Sequence, residues 1–503
     1  MRILLDTNII ILREDNKILD KNLQLLFDKL NQSKVVILVH PKSLEELERD
    51  KNEERKKIAL SKARTYTLLD SPPDPSENIS FKNRLNWDGC SNLVDINLLY
   101  AVDRNAIDFL LTEDKEIHKF ARILHLDDRV FLIEEALEFF TKIECHVDIK
   151  PPPALKEAPV HNLDINDPLF DILKSEYKGF ERWFEKIARE GRKCLVHYRN
   201  DKSLGALLIY KTENEPLSTI PPLNTKERLK LCTFIVTHVG YRIGELFLKL
   251  SIDYAIQKNI FEIYLTHFTK PNDYLVQLIL EFGFYKVAEK TNGEDVYLKC
   301  LVPRSELDLI NPIEISKKFY PSFYDGKRVR KFIIPIVPEY HERLFTDYPG
   351  RQSKIMEHFG EFIIEGNTIK KAYLTHSNIS KIRKGDLLIF YRSQDDCSIT
   401  SIGVVESFIQ NQTKTEDVIK LVSKRTVYTK DEIDDFVKKP TSILLFLHHV
   451  HLRKPINLFQ LKQIGALNAA PQSIVEISNQ SYKKIKIKGE IDERFTFNET
   501  KTR

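Results

Sequence analysis

The chain has few of the features that would take it out of the ordinary globular class. Its 503 residues hold only six cysteines, Cys90, Cys145, Cys194, Cys232, Cys300 and Cys397, scattered without a CxxC pair. That spacing excludes a short loop closed by a zinc ion, and reduced, half-buried thiols are expected. No apolar run approaches the length needed to span a bilayer. Met1-Arg2-Ile3 leads directly into a folded pattern without a cleavable signal, so a cytoplasmic location is expected. There is no internal repeat, and the net charge is only +4. The charge is unevenly placed, however: residues 305–503 carry 32 Lys and Arg against 25 Asp and Glu, which hints at a polyanionic partner for the last third.

With 42% hydrophobic and 30% charged residues the chain is long enough for about three cores. From Met1 to about Cys145, apolar runs (Ile3-Leu4-Leu5, Val35–Val39, 108–111, 130–133) alternate with helical patterns, among them one charged helix expected over 43–60. Such alternation predicts a parallel sheet covered by helices. Lys150-Pro151-Pro152-Pro153 to Pro159 reads as a linker. A second α/β pattern follows over 165–303, with a strand at 229–236, a long helix at 245–257 and a hairpin through Asn292-Gly293. Residues 304–340, rich in Tyr, Phe and Pro, read as a tether. Short β runs then dominate from Ala372 to Ile477 and predict a small barrel.

Four acids stand where a divalent cation could be held. Met1–Leu5 reads as a buried strand, so Asp6 emerges at its carboxyl end, where open parallel sheets place their ligand crevices. Glu46 begins a helix, Asp95 opens another, and Asp114 follows the strand ending Leu110-Leu111-Thr112. Magnesium takes one or two carboxylates and keeps several waters, so a pocket with four acids can hold one or two ions and orient a water against a phosphodiester. Taken singly each acid has a plainer explanation: Asp95 as a helix cap, Glu45 as a rival to Glu46, Glu113 as a rival to Asp114.

Together, LLDTN, HPKSLEELER, LVDINLLYAV and DFLLTEDKEI resemble the four motif segments of the PIN-domain nucleases, over residues 1–147. That resemblance implies a Mg²⁺ or Mn²⁺ site at Asp6, Glu46, Asp95 and Asp114 acting on RNA, with water as nucleophile and Thr112 in the TxD element.

The segment from Leu231 through Gly240-Tyr241-Arg242-Ile243-Gly244 reads as strand, glycine turn, helix, a form whose backbone amides can bind a pyrophosphate. A plain strand-to-helix connection reads the same way. Residues 165–303 resemble a GNAT acyltransferase, with NDYLVQLILEFGF matching its later helix and Gly283-Phe284. The resemblance implies acetyl-CoA bound near Ile235, Val236, Gly240, Arg242, Ile243 and Gly244. Val239 and Arg242 depart from its loop motif, although Arg242 could still pair with a phosphate. Ile279 stands where many members carry a tyrosine acid, and Tyr274 and Glu245 are possible substitutes.

Over 341–490 the strands resemble PUA-like barrels of the EVE and ASCH groups. That implies an RNA groove with Lys370, Lys371, Lys381, Arg383 and Lys384 at its edge and Phe390 or Tyr391 as a stacking face. Lys and Arg beside strands also guard sheet edges, and strand aromatics are usually core. Simple strand alternation puts His449 and His451 on one face with His448 opposite, leaving two metal ligands without a third.

The expected whole is an α/β multidomain protein: a parallel-sheet PIN-like nuclease domain (1–147), a linker (148–164), a GNAT-like domain (165–303), a tether (304–340), a PUA-like RNA reader (341–490) and a tail (491–503). Two alternatives stay open. One is a non-catalytic regulator that binds RNA and acetyl-CoA. The other is principally an N-acetyltransferase that uses the outer domains for docking.

Overall fold

The computed structural model describes residues 1–14, 21–32, 35–49, 53–85, 87, 92–144, 154–199, 202–237, 241–271, 273–303, 311–348, 361–363 and 368–498. The chain divides into two compact units: 1–148 with 272–274 and 413–437, and 149–271 with 275–412 and 438–503.

The first unit is built on five strands, β1 (Arg2–Leu5), β2 (Val36–Val39), β3 (Thr67–Leu68), β4 (Phe109–Leu111) and β5 (Val130–Phe131). Their order is β3-β2-β1-β4-β5, and every pair is parallel. The central strands are continuous apolar runs because both faces are covered. Leu4, Leu38 and Leu110 share one core with helices Leu93–Asp103 and Lys115–Ile123, while Phe109 meets Phe139 of helix Ile133–Glu144 at 5.3 Å on the other side. The chain builds outward from β1 to β3, then returns to lay β4 against the other edge of β1. This reversal opens a crevice at the carboxyl ends of β1 and β4. The single charged helix expected over 43–60 is instead two, Pro41–Glu48 and Glu53–Ala63. Helices Thr415–Val422 and Lys430–Phe436 also belong to this unit, where Arg425 pairs with Asp128 at 2.9 Å.

The second unit contains strands β6 (Ala154–Pro159), β7 (Lys193–Tyr198), β8 (Leu204–Glu213), β9 (Thr219–Ile220), β10 (Arg228–Val236), β11 (Glu262–His267), β12 (Tyr285–Lys290), β13 (Asp295–Cys300), β14 (Phe323–Tyr324), β15 (Lys331–Ile336), β16 (Glu361–Ile363), β17 (Lys370–Thr375), β18 (Leu387–Arg392), β19 (Ser398–Gln412), β20 (Thr441–Asn457), β21 (Val475–Ile477) and β22 (Thr496–Phe497). They form a nine-stranded sheet, β16-β6-β7-β8-β10-β11-β13-β12-β9, a six-stranded sheet, β17-β20-β19-β18-β15-β21, and the pair β14-β22. The large sheet is antiparallel except for β10 and β11. One apolar core runs through both sheets, joining Leu246 and Leu248 to Ile389 and Leu447.

Three expectations change here. Among the described residues no pairing joins β17 to β21, so the carboxyl-terminal sheet is open and no closed barrel forms. Its long strands β19 and β20 bend through four register irregularities instead. The expected linker contains β6, which pairs with β7. The expected tether contains β15, whose Phe332, Ile333 and Ile334 are wholly buried between β18 and β21. Among the described residues no helix is long and apolar enough to cross a membrane.

Candidate functional site

Asp6 is the first residue beyond β1 and only 4% exposed. Its backbone N–H donates to the carbonyl of Leu111 at 3.0 Å, tying it to the end of β4. One carboxylate oxygen accepts from the Thr7 N–H at 2.6 Å, and the other accepts from the Thr112 hydroxyl and the Asn8 amide, both at 2.6 Å. The Thr7 hydroxyl donates to Glu46 at 2.6 Å, so the first and second acids are joined through one side chain. Glu46 rides on the second turn of a helix that His40 fixes, its Nδ1 accepting from the Lys42 N–H at 3.1 Å with Pro41 at the first position.

The rival acids are engaged elsewhere. Both oxygens of Glu45 accept from the Lys42 ammonium at 2.9 Å, and Glu113 accepts from the N–H of Ile133 at 2.8 Å. Asp114 caps helix Lys115–Ile123, one oxygen accepting from the N–H groups of Glu116 and Ile117. Asp95 stands in the first turn of helix Leu93–Asp103 without capping it.

The carboxyls feel one another's charge. Burial first, and then the charges of Asp6, Asp114 and Glu46, push Asp95 up to about 7. Burial likewise raises Asp6 to about 6 against the lowering hydrogen bonds of Thr112 and Thr7, with Glu46 and Asp114 adding to the rise. No three of their oxygens come within 4.8 Å of one another among the described residues. That wider spacing fits a hard cation that binds one or two carboxylates directly and reaches the others through water. Thr7 and Asn8 were not singled out from the sequence as ligand-orienting residues, yet the Asp-Thr-Asn triplet is the signal that carries them.

The acetyl-CoA residues fare unevenly. β10 pairs with β8 along its whole length, but with β11 only through Leu229–Leu231 against Ile263–Leu265. Beyond Leu231 the parallel pair separates, leaving Ile235 and Val236 half-buried beside the split. Gly240 and the side chain of Arg242 lie outside the described residues. Ile243 is core, and Gly244 lies within helix Tyr241–Gln257 rather than in a turn. A Cβ on Gly244 would sit 2.5 Å from Leu278, so the glycine lets this helix approach helix Tyr274–Glu281 closely. Glu245 is not available as an acid: it is buried, and one oxygen accepts from the N–H groups of Ile369 (2.6 Å) and Lys370 (3.0 Å). Ile279 is fully buried.

Three residues of the expected RNA groove are withdrawn. Lys371 and Tyr391 are each 1% exposed, as Phe390 is at 0%, because every residue of β18 and the four middle residues of β17 are buried. The Lys371 ammonium lies 5.6 Å from the Phe345 ring. Lys370 pairs with Glu281. Lys381, Arg383 and Lys384 are exposed, on the loop before β18.

No protein-family model matches the chain, and no curated protein matches it. Among solved structures it is similar to ASCH from Zymomonas mobilis (16% identity, 31% of this chain and 92% of that one, TM-score 0.24). It is also similar to a GNAT-family acetyltransferase from Listeria monocytogenes (19% identity, 26% and 74%, TM-score 0.20). A third is Arabidopsis thaliana Naa50 in complex with a bisubstrate CoA analogue (19%, 29% and 97%, TM-score 0.21). Each covers less than a third of the chain, and at these scores none bears on the chemistry.

Proposed function

We propose that the first unit is a metal-dependent nuclease acting on RNA. Asp6, Glu46, Asp95 and Asp114 would hold Mg²⁺ or Mn²⁺, which supplies a water nucleophile at neutral pH and charge stabilisation for the departing oxygen. The observation that supports this is the gathering of four acids at the sheet's switch-point crevice, Asp6 buried, Asp95 and Asp114 half-buried and Glu46 exposed, with Asp6 and Asp95 raised to about 6 and 7. Proteins keep such costly arrangements chiefly where a charge partner is to be bound. Thr112, Asn8 and Thr7 orient the acids, and Asp114 is held by the helix amides. In a cleavage assay on structured RNA with Mg²⁺ or Mn²⁺, wild type is expected to cut and Asp6→Asn is not. Equal cleavage by both proteins refutes the assignment.

A second reading, acetyl-CoA binding by the second unit, is favoured by the split between β10 and β11. There the amides of Cys232–Val236 on the β11 side have no ladder partner among the described residues, and the split leads to the start of helix Tyr241–Gln257. The exposed Lys381, Arg383 and Lys384, with the basic excess of the last third, favour RNA as the polyanion that this unit selects. The buried Ile279 and the engaged Glu245 leave acyl transfer without a proton donor at either position, and Tyr274, the remaining substitute, is assigned to the first compact unit, so binding rather than turnover is the reading for acetyl-CoA.

A further inference from the structure

Strand alternation separates His448 from His451, but β20 is irregular at this point. Its partners along β19 run Ser401 to His451, Ile402 to Val450 and Gly403 to His448, so His449 is skipped as a bulge. One extra residue inverts the alternation and brings His448 and His451 to the same side, their ring centroids 4.4 Å apart. His449 is turned away, its Nδ1 against the Pro321 carbonyl at 2.9 Å.

The third member comes from about a hundred residues earlier in the chain. One ligand atom each from Asp347, His448 and His451 lie within 4.8 Å of one another, the only such trio of His, Cys, Asp or Glu among the described residues. Asp347 Oδ1 stands 3.2 Å from His451 Nε2. Two ligands bonded at about 2.05 Å to a tetrahedral ion stand about 3.3 Å apart.

The atoms of the trio are short of hydrogen-bond partners. The Thr400 hydroxyl donates to the Phe390 carbonyl, and the Ser401 hydroxyl donates to Thr400 at 3.2 Å. The Ser401 hydroxyl also lies 2.8 Å from His451 Nδ1, which fixes the ring with Nε2 turned toward Asp347. His448, 2% exposed, has no hydrogen-bond partner for either ring nitrogen, and Asp347 Oδ1 and His451 Nε2 have only each other. A proton on His451 relieves one of these orphaned atoms and its neighbour; a cation relieves all three residues at once.

We propose that Asp347, His448 and His451 bind a divalent transition metal of the zinc class. Two imidazoles and one carboxylate are a donor set for zinc and its first-row neighbours. The surroundings have the form such sites require. Ser401 orients one imidazole through its far nitrogen, and the Lys249 ammonium holds the other carboxylate oxygen at 2.6 Å, leaving Oδ1 to the metal. Phe345 and Tyr348 wall the rings at 5.1 and 5.5 Å. The trio lines a cavity of about 500 Å³, so three protein ligands leave at least one coordination position open to a water or small ligand.

Co²⁺ is the probe, because its visible absorption reports low-symmetry nitrogen and oxygen coordination directly. Full-length protein stripped with a chelator is expected to take up Co²⁺ with an intense visible band, in wild type and equally in Asp6→Asn. The band is lost in His448→Ala and in Asp347→Asn at unchanged circular dichroism, and Ser401→Ala weakens binding by about 10–100-fold. A wild type without the band overturns the proposal whatever the variants do. So does a band that survives His448→Ala, or one that disappears in Asp6→Asn.

Discussion

Of Asp6 and Asp95, Asp95 is the acid whose ionisation the fold resists more, and neutralising it should make the metal-free first unit more stable while destroying its response to metal. Burial and the neighbouring carboxylates hold its pKa at about 7 rather than the ordinary 3.8. At about 1.4 kcal/mol per pKa unit the ionised form is disfavoured by up to about 4 kcal/mol, and water in the open crevice reduces that to about 2 kcal/mol. The direction follows from the raised value. Below pH 3.8 both folded and unfolded chains hold the proton and the full contribution is present; as pH rises towards 7 the unfolded chain ionises first and stability is lost. Asp95→Asn has no such loss. The assay is urea unfolding in EDTA from pH 4 to pH 8, followed by the fluorescence of Trp87, which packs on the core of the first unit, in a Trp183→Phe background that silences the other tryptophan. The variant is expected to gain on its parent by about 2 kcal/mol between pH 4 and pH 7, and Mn²⁺ is expected to stabilise the parent alone. Parallel pH profiles, or a variant less stable than its parent at pH 8 without metal, would refute the reasoning.

Two further outcomes concern the second unit. Gly283 has φ +82°, and a Cβ there would lie 2.0 Å from the backbone carbonyl oxygen of Lys318, which also accepts from the buried Lys299 ammonium. Gly283→Ala is therefore expected to cost more than the roughly 1–2 kcal/mol of a left-handed residue alone, read as a lowered urea midpoint; an unchanged midpoint removes the close-approach argument. Calorimetry is expected to detect acetyl-CoA binding by wild type, weakened by about 1.5–3 kcal/mol in Arg242→Ala, and a wild type that gives no heat ends the acetyl-CoA reading.

What could be read from the sequence depended on whether the decisive neighbours were local. Asp6, Glu46, Asp95 and Asp114 sit near element ends inside short apolar contexts; the resemblance of the four motif segments gathered them into one group, and alternation alone put each no further than an element end. Choosing Glu46 over Glu45 was beyond it, because that rests on Lys42 claiming one acid and Thr7 claiming the other. Lys371 and Tyr391 were misjudged for a related reason: strand alternation assumes one open face, and β18 has none. The strand at 331–336 was missed because Pro335 interrupts its apolar run. That proline is tolerated because β21 pairs only with Lys331–Ile333, leaving the ladder edge open at Pro335. The histidine trio lay furthest from view, since it needs a bulge that no residue type announces and an aspartate distant in the chain.

The two candidate cation sites differ in a way that makes them separable. The first offers only carboxylate oxygens, widely set, with hydroxyl and amide groups orienting them; hard ions that keep their water suit it, and softer ions gain little there. The second offers two imidazoles and one oxygen in a tight group, where affinity rises along the first-row series toward copper and zinc, and Mg²⁺ has no comparable claim. A chain given Mg²⁺ in excess and a trace of Zn²⁺ should therefore load each ion at a different place. Cleavage that survives His448→Ala, and Co²⁺ uptake that survives Asp6→Asn, are then two independent facts, and neither site can borrow its support from the other.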